Sequence, residues 1–164
     1  RLNNFYLRLF ICNFTIMLID KIKSAFRSEK QIISIALLFI MFGTLIELYL
    51  INHYEDILQL IPILIIIIAL INLFFLFFRV STTSKKLFKF ILVLVSFVGL
   101  FGFVLHLKAN YEFEQEMRPS SNWTDLFVES LSGALPTLAP LSMVVLSLIG
   151  YSYLIILNHN KWKN

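Results

Sequence analysis

The stretch that decides the fold runs from Ile32 to Phe78 and reads IISIALLFIMFGTLIELYLINHYEDILQLIPILIIIIALINLFFLFF. It is almost continuous hydrocarbon, interrupted by Glu47 and by the polar turn at residues 53–56. Each apolar run beside the turn has the length of about 20 residues that crosses a bilayer core about 30 Å thick. The stretch therefore predicts a transmembrane helical hairpin. Because a carboxylate inside such a run is costly, Glu47 points by default to a site.

The composition extends this prediction to the whole chain. Its 164 residues are 59% hydrophobic and 15% charged, and the mean hydropathy is +0.82. A soluble domain has about 45–50% apolar and about 25% charged residues. Four apolar runs have spanning length: Ile32–Asn52, Ile57–Phe78, Leu87–Leu107 and Leu135–Leu157. Since short loops make consecutive helices antiparallel, we predict an all-α membrane protein. Its four transmembrane helices form an up-down bundle over residues 32–157.

Short segments flank this predicted bundle. Residues 1–31 are predicted to be a cytoplasmic leader, in which Met17–Lys30 has the pattern of a basic amphipathic interfacial helix. The alternative is a solvated basic leader that only sets the topology. Residues 1–16 are interpreted either as native or as upstream translation or a fragment artefact. Residues 158–164 are predicted to be a cytoplasmic tail. Cys12 is the one cysteine of this sequence, so we expect no internal disulfide.

The basic residues are distributed unequally across the predicted membrane. Twelve of the 14 Lys and Arg residues lie on one side, in the leader, in the loop between spans two and three, and in the tail. The other side carries only Lys108 and Arg118. By the positive-inside rule, this asymmetry places both termini in the cytoplasm, an N-in/C-in topology. The same placement accounts for the net charge of +4, so we do not expect nucleic acid as a partner.

The long outer loop is predicted to contain a short interfacial helix. Span three should continue beyond its apolar run, because His106, Asn110 and Glu114 recur every four residues. After Pro119, a new helix begins with a cap at residues 121–122. Its apolar side is expected on the membrane surface and comprises Trp123, Leu126, Phe127 and Leu131. Span four follows, with Pro136 and Pro140 in its outer half, where they free backbone carbonyls.

Small residues mark the expected packing faces of two spans, because they let membrane helices approach closely. In span three the stripe comprises Ser96, Gly99, Gly102 and His106. In span one it comprises Ala36, Ile40, Gly43 and Glu47. Both ionisable residues are therefore expected to face other helices and not lipid.

The depths of these two residues predict a polar pocket. Glu47 lies 17 residues after Lys30, and His106 lies 17 residues after Lys89, so both reach one level. We predict that they form a hydrogen-bonded pair at the floor of an outward-facing pocket. Its rim would comprise His53, Asn110, Glu112 and Glu114.

Two interpretations of this pocket remain open. Histidines with carboxylates suit a divalent transition metal or a proton relay. Alternatively, the Glu47–His106 hydrogen bond only locks helix packing while the rim charges face water. A haem held by His53 and His106 is disfavoured, because both lie near one face of the predicted membrane. No cofactor is predicted.

One pattern resembles a known group of proteins. His106-Leu-Lys-Ala-Asn110-Tyr-Glu-Phe-Glu114 is followed, after a Trp-containing segment, by Gly133-Ala-Leu-Pro-Thr-Leu-Ala-Pro140. This resembles uncharacterised small bacterial four-span membrane proteins, which have a His-x-Arg-Gly-Asn-type helix end and a later Leu-Ala-Pro-Gly. The chain departs from that pattern at Ala109 and Leu141, where the group has Gly. The resemblance implies a bacterial inner-membrane (cytoplasmic-membrane) location and no mechanism.

Three functions compete for this sequence. We favour a non-enzymatic accessory or sensing module, because the cytoplasmic loops are minimal and no nucleophile constellation occurs. The alternative is a subunit of a proton or metal-ion transporter, although transporters usually place polar groups near the midplane. An enzyme using Glu47 and His106 as acid and base is a further alternative. Expected partners are the lipid bilayer and another membrane protein or a second copy of the chain.

Overall fold

The computed structural model describes residues 2–159, which form five helices. They are α1 (Leu2–Leu50), α2 (Ile57–Phe78), α3 (Thr82–Met117), α4 (Trp123–Leu131) and α5 (Leu141–His159). Arg1 and residues 160–164, with Lys161 and Lys163 of the predicted tail, lie outside the described residues. Most side chains before residue 28 also lie outside the description, so the amphipathic face of the leader stays a prediction.

Four of these helices are long and apolar enough to cross a membrane, which confirms the predicted number of spans. The spanning parts are Ser28–Leu50, Ile57–Phe78, Thr82–Met117 and Leu141–His159. The leader and span one form a single continuous helix. Large apolar side chains cover the outside of the bundle, including Phe39, Phe74 and Phe97 at 59–79% exposure. Such a surface is stable in hydrocarbon and costly in water.

The sequence sets the helix boundaries through local hydrogen bonds. Asp56 caps α2, and its side chain forms a capping box with Gln59. Ser81 caps α3, and its hydroxyl accepts the Ser84 N–H at 3.0 Å. Because only residues 79–81 connect α2 to α3, the two helices are antiparallel neighbours.

The four long helices pack as a closed ring in the order α1, α2, α3, α5. The α3–α5 contact is the most extensive, and it is antiparallel. The Ser147 hydroxyl of α5 lies 2.8 Å from the Leu92 carbonyl oxygen of α3, a hydrogen bond between the helices. Gly150 lies against the Leu92 side chain one turn further. The fully buried interior is apolar and includes Leu37, Met41, Ile66, Leu73, Leu76, Phe88, Val95 and Leu146.

The predicted start of span four was wrong. The helix begins at Leu141 and not at Leu135, so Pro136 and Pro140 precede α5 and do not bend it. Proline has no N–H for the helical ladder and also disfavours helical backbone at the residue before it. Two prolines within five positions therefore keep residues 132–140 out of the helix. We call residues 132–140 the proline segment.

The predicted short helix in the outer loop is present as α4, with Asn122 at its N-cap and Asp125 in its first turn. Its predicted membrane-facing side needs a correction. Leu126 is buried at 4% exposure, whereas Trp123 is 68% exposed. Leu126 and Ser130 are one turn apart and form the buried side of α4, which packs on α3.

The small-residue stripe predicted in α3 is confirmed, whereas the one predicted in α1 is only partly right, because Ile40 packs against the core but Gly43 and Glu47 do not. A Cβ atom on Gly99 would lie 2.7 Å from the Pro140 carbonyl oxygen, and one on Gly102 would lie 3.1 Å from Pro140 Cβ. The proline segment therefore packs on the α3 stripe through Pro140. In α1 the packing face is formed by Leu37 and Met41, whereas Gly43 has nothing within 4 Å of a Cβ position.

The two glycines form a matched test of this packing. Gly99→Ala should lower the free energy of unfolding by about 1–3 kcal/mol, because the added methyl overlaps backbone that cannot move aside. Gly43→Ala should be neutral or slightly stabilising, since its Cβ meets open space. Titration with SDS in mixed micelles measures both. Equal effects of the two substitutions would contradict the described α3–Pro140 contact.

Candidate functional site

The proline segment is held to the bundle by one buried side chain, Asn110 of α3, which is 2% exposed. Its Nδ2 group lies 3.0 Å from the Ser130 carbonyl oxygen and 2.8 Å from the Leu135 carbonyl oxygen. Its Oδ1 atom accepts the Leu135 backbone N–H at 3.0 Å. The amide thus satisfies both the donor and the acceptor of Leu135, as the ladder of a helix would.

Thr137 and Ser130 complete this network. The Thr137 hydroxyl oxygen accepts from Asn110 Nδ2 at 2.8 Å and its O–H donates to the Ser130 carbonyl oxygen at 2.9 Å. Thr137 and Ser130 are 1% and 0% exposed. Gly133 leaves room for the amide, because a Cβ there would lie 2.6 Å from Asn110 Cγ. We call Asn110, Ser130 and Thr137 the amide lock.

The amide lock explains how an irregular segment lies beside apolar helices. Non-helical backbone in such surroundings needs hydrogen-bond partners from protein, because hydrocarbon supplies none. Asn110 supplies these hydrogen-bond partners from one face of α3. Ser130 binds the C-terminal end of α4 to the same network. The lock therefore fixes α4, the proline segment and the start of α5 against α3.

His106 lies one turn before Asn110 on α3 and also contacts the proline segment. Its Nδ1 atom is 3.3 Å from the Pro136 carbonyl oxygen, so Nδ1–H donates there and leaves Nε2 unengaged. The ring of His53 lies 6.3 Å from the His106 ring, centroid to centroid, at 62°. We call His53 and His106 the histidine pair, and the end of the bundle that holds it the histidine end.

The end of α1 places His53 in this position. Asn52 adopts φ 55°, and the His53 N–H donates to the Leu48 carbonyl oxygen at 2.9 Å. The Asn52 N–H donates to Tyr49 at 3.1 Å, which completes a Schellman motif. Asparagine tolerates the left-handed region better than most residues. The motif ends α1 sharply and sends His53 toward α3.

His53 is the member of the pair with a shifted pKa. Its burial lowers the pKa below the ordinary value of 6.5, and the charge of His106 lowers it further. The folded form therefore binds fewer protons than the unfolded chain in this range. The stability that neutral His53 contributes is present above pH 6.5 and is lost as the pH falls toward the lowered pKa.

The predicted Glu47–His106 hydrogen bond is not formed. His106 donates instead to Pro136, and among the described residues Glu47 has no hydrogen-bond or ion-pair partner. The Glu47 side chain is exposed. It follows the packing residue Met41 by six positions, which at about 100° per residue turns it about 120° away from that face.

The two rim carboxylates are paired with basic residues of their own loop. Glu112 lies 3.5 Å from Lys108, one turn before it. Glu114 lies 2.6 Å from Arg118, which also reaches Glu129 of α4 at 3.4 Å. The hydrogen bonds that Arg118 donates to Glu114 and then to Glu129 raise the pKa of Arg118. Of these pairs only Arg118–Glu129 connects α3 to α4, and pairs near the surface contribute little stability.

The structure brings His53 and His106 together and assigns Asn110 to the amide lock. It pairs Glu112 and Glu114 with basic residues and leaves Glu47 exposed. Within residues 2–159 no group of three or more His, Cys, Asp or Glu side chains is arranged to hold a metal ion. What remains is a pair of histidines joining the α1–α2 turn to the proline segment.

Sequence reasoning missed Ser130, Thr137 and the Pro136 carbonyl group. A usable signal was present, because Thr137 is a polar residue between two prolines. Prolines leave carbonyl groups without helical donors. Such carbonyl groups need donors from a neighbouring helix, and the side chains of Asn110 and His106 were the available candidates.

Four helices long and apolar enough to span a membrane, with an apolar outer surface, define a small integral membrane protein. Comparison of the chain with protein-family models, with curated proteins and with solved structures gives no match.

The amide lock predicts a large effect for a nearly isosteric change. Asn110→Asp replaces the donating Nδ2 with an oxygen that faces the Ser130 and Leu135 carbonyl groups. The free energy of unfolding should fall by about 3 kcal/mol, because buried acceptors lose their donor. Thr137→Val should lower it by about 1–2 kcal/mol.

Asn122→Asp is the control for this experiment. Asn122 is exposed and its side chain makes no capping hydrogen bond, so the same chemical change should alter stability by less than about 0.5 kcal/mol. All three variants are compared by SDS titration. An Asn110→Asp protein as stable as the Asn122→Asp protein would show that the amide does not hold the segment.

Proposed function

We propose that this protein is a non-enzymatic membrane module that senses protons at its histidine end and passes the change to a partner. The partner is another membrane protein or a second copy of the chain. The observation that carries the proposal is the histidine pair, which joins the α1–α2 turn to α3 and the proline segment. Histidine changes charge near neutral pH, so a contact between two of them is sensitive to acid.

Protonation acts on this contact in one direction. A charge on half-buried His53 is opposed by desolvation and by His106. Acid therefore favours an arrangement in which the α1–α2 turn moves away from α3. Because His106 also donates a hydrogen bond to the Pro136 carbonyl oxygen, the same movement also affects the proline segment. The part of the protein that responds to acid is thus the contact between the α1–α2 turn and the proline segment. The hydrogen bonds of the amide lock stay as they are.

Few other charged groups surround the pair. On its own turn, Glu55 and Asp56 are exposed, and the Asp56 carboxylate accepts the Ile57 N–H. On α1, Glu47 is exposed. On α3, Lys108 is paired with Glu112. The proline segment has no ionisable side chain. The effect of pH on this contact is therefore governed by the charges of the two histidines.

The transport alternative has less support from the bundle. A proton or metal path needs polar groups along its length. The fully buried side chains of the described spans are mainly apolar, from Leu37 and Met41 of α1 to Leu146 of α5. The buried polar groups within these spans include Asn72 of α2 and the Ser147 and Tyr153 hydroxyls of α5.

We further propose that the histidine end faces outward from a bacterial cytoplasmic membrane. The twelve-to-two division of basic residues supports N-in/C-in topology, and the resemblance to small bacterial proteins supports the membrane. With this orientation, α4 lies on the outer surface with Trp123 exposed, the interfacial position that tryptophan prefers.

Cysteine labelling tests the orientation. In a Cys12→Ser background, Asn122→Cys should react with an impermeant maleimide in intact cells. Thr83→Cys should react only after permeabilisation, because it follows the loop between α2 and α3. Both positions are exposed, so burial does not limit labelling. The reverse pattern would contradict the outward-facing sensor.

Spin-label distances test the proposed sensing. Labels at Glu55→Cys and Leu138→Cys report the separation of the turn and the proline segment, and both positions are exposed. Lowering the pH from about 8 to about 5 should lengthen or broaden the distance distribution. His53→Gln should remove that change, and His159→Gln, at the other end of the bundle, should retain it. Superimposable distributions at both pH values in the protein with His53 would refute the proposal.

A further inference from the structure

A groove of about 580 Å³ lies at the opposite end of the bundle, between the start of α3 and the end of α5. Its lining combines three lysines, an aromatic ring, polar side chains and an apolar floor. The lining residues are Thr82, Lys85, Lys86, Lys89, Tyr151, Leu154, Ile155 and Asn158. We call it the lysine groove. It belongs neither to the histidine pair nor to the amide lock.

Two of its lysines are positioned by α5. The Lys85 ammonium donates to Asn158 Oδ1 at 2.6 Å, and Lys89 Nζ lies 5.6 Å from the centroid of the Tyr151 ring. An ammonium has three donors, so the bond to Asn158 leaves Lys85 with two more. The attraction between an ammonium and an aromatic face holds Lys89 at the side of the groove that α5 forms.

The positive charge of the groove has no partner in the described part of the chain. Among the side chains that the structure describes, the ion pairs involve Lys108 and Arg118, both at the histidine end. The groove also contains the first residue of α3, Thr82, where the helix dipole adds positive potential. Three lysines without an acidic partner beside a helix N-terminus attract an anion.

The floor of the groove is apolar and continuous with the outside of the bundle. Leu154 is 4% exposed and forms its base, and Ile155 is 55% exposed beside it. A spanning helix ends here, since α5 ends at His159. An occupant that places a negative group among the lysines and hydrocarbon on this floor matches both parts.

We propose that the lysine groove binds one anionic phospholipid. Its phosphate lies among Lys85, Lys86 and Lys89, and its acyl chain runs over Leu154 and Ile155. Basic pockets between transmembrane helices recognise anionic headgroups through this combination of charge and hydrocarbon. Free phosphate would use the lysines but would gain nothing from the floor. The lipid site does not depend on the proposed proton sensing.

Native mass spectrometry of the whole protein tests the site. The protein is released from micelles containing either phosphatidylglycerol or phosphatidylcholine, and the retained lipid is counted. One phosphatidylglycerol should be retained in preference to phosphatidylcholine. Lys85→Gln and Lys89→Gln should each weaken retention about five-fold, because each removes one cation facing the headgroup. Lys108→Gln, also on α3 but at the histidine end, should leave it unchanged.

A second pair of variants keeps every charge. Ile155→Trp should fill the floor and weaken phosphatidylglycerol retention about as much as the loss of a lysine. Leu148→Trp changes another exposed residue of α5, outside the groove, and should have no effect. Equal retention of the two lipids, or equal retention by Lys85→Gln and Lys108→Gln, would overturn the proposal. Displacement of the lipid by inorganic phosphate with no effect of Ile155→Trp would instead assign the groove to free phosphate and overturn the lipid.

Discussion

The hydrogen bonds of the Asn110 amide are the constraint on which the histidine end depends. They hold a non-helical segment against α3, where the two prolines prevent a helix and hydrocarbon supplies no hydrogen-bond partners. Once that segment is fixed, Pro140 lies on Gly99 and α5 begins at Leu141. The same fixation brings the Pro136 carbonyl group to His106, and so provides one side of the histidine pair.

The two ends of the bundle are built for different chemistry. At the histidine end, the main-chain groups of the proline segment are bound tightly, and His53 lies beside His106 where burial lowers the pKa of His53. At the other end, the lysines of α3 are positioned but not neutralised. Between them the interior is mainly apolar, with Asn72, Ser147 and Tyr153 as buried polar side chains, and Gly150 packs closely against Leu92. The helices next to the histidine end are therefore closely packed against one another.

The sequence predicted the features that depend on composition and missed those that depend on side-chain direction. Hydropathy predicted four spans, and the four-residue recurrence of His106, Asn110 and Glu114 predicted the extension of α3 to Met117. The depth of a residue along a helix does not predict which way its side chain points, because consecutive residues on a helix point in directions about 100° apart. Glu47 is exposed, because the packing face of α1 follows Leu37 and Met41.

The particular partners in the amide lock were not predicted from the sequence for a related reason. Asn110 is 25 positions from Leu135 and 27 from Thr137, and no local pattern relates residues so distant. Only the antiparallel packing of α3 and α5 brings them together. The stripe of Gly99 and Gly102 shows what a sequence can reveal about long-range contacts. Small residues indicate that another segment approaches closely, but they do not identify that segment.

Hydrogen exchange of the Asn110 side-chain amide tests the central claim most directly. In isotope-labelled protein in nanodiscs, NMR follows side-chain NH₂ signals after transfer to D₂O, and exposed Asn52 is the internal reference. The amide lock predicts that Asn110 exchanges at least about 100-fold more slowly than Asn52, because its donors are buried and bonded. Exchange of the two amides at the same rate would contradict the lock and the arrangement of the histidine end built upon it.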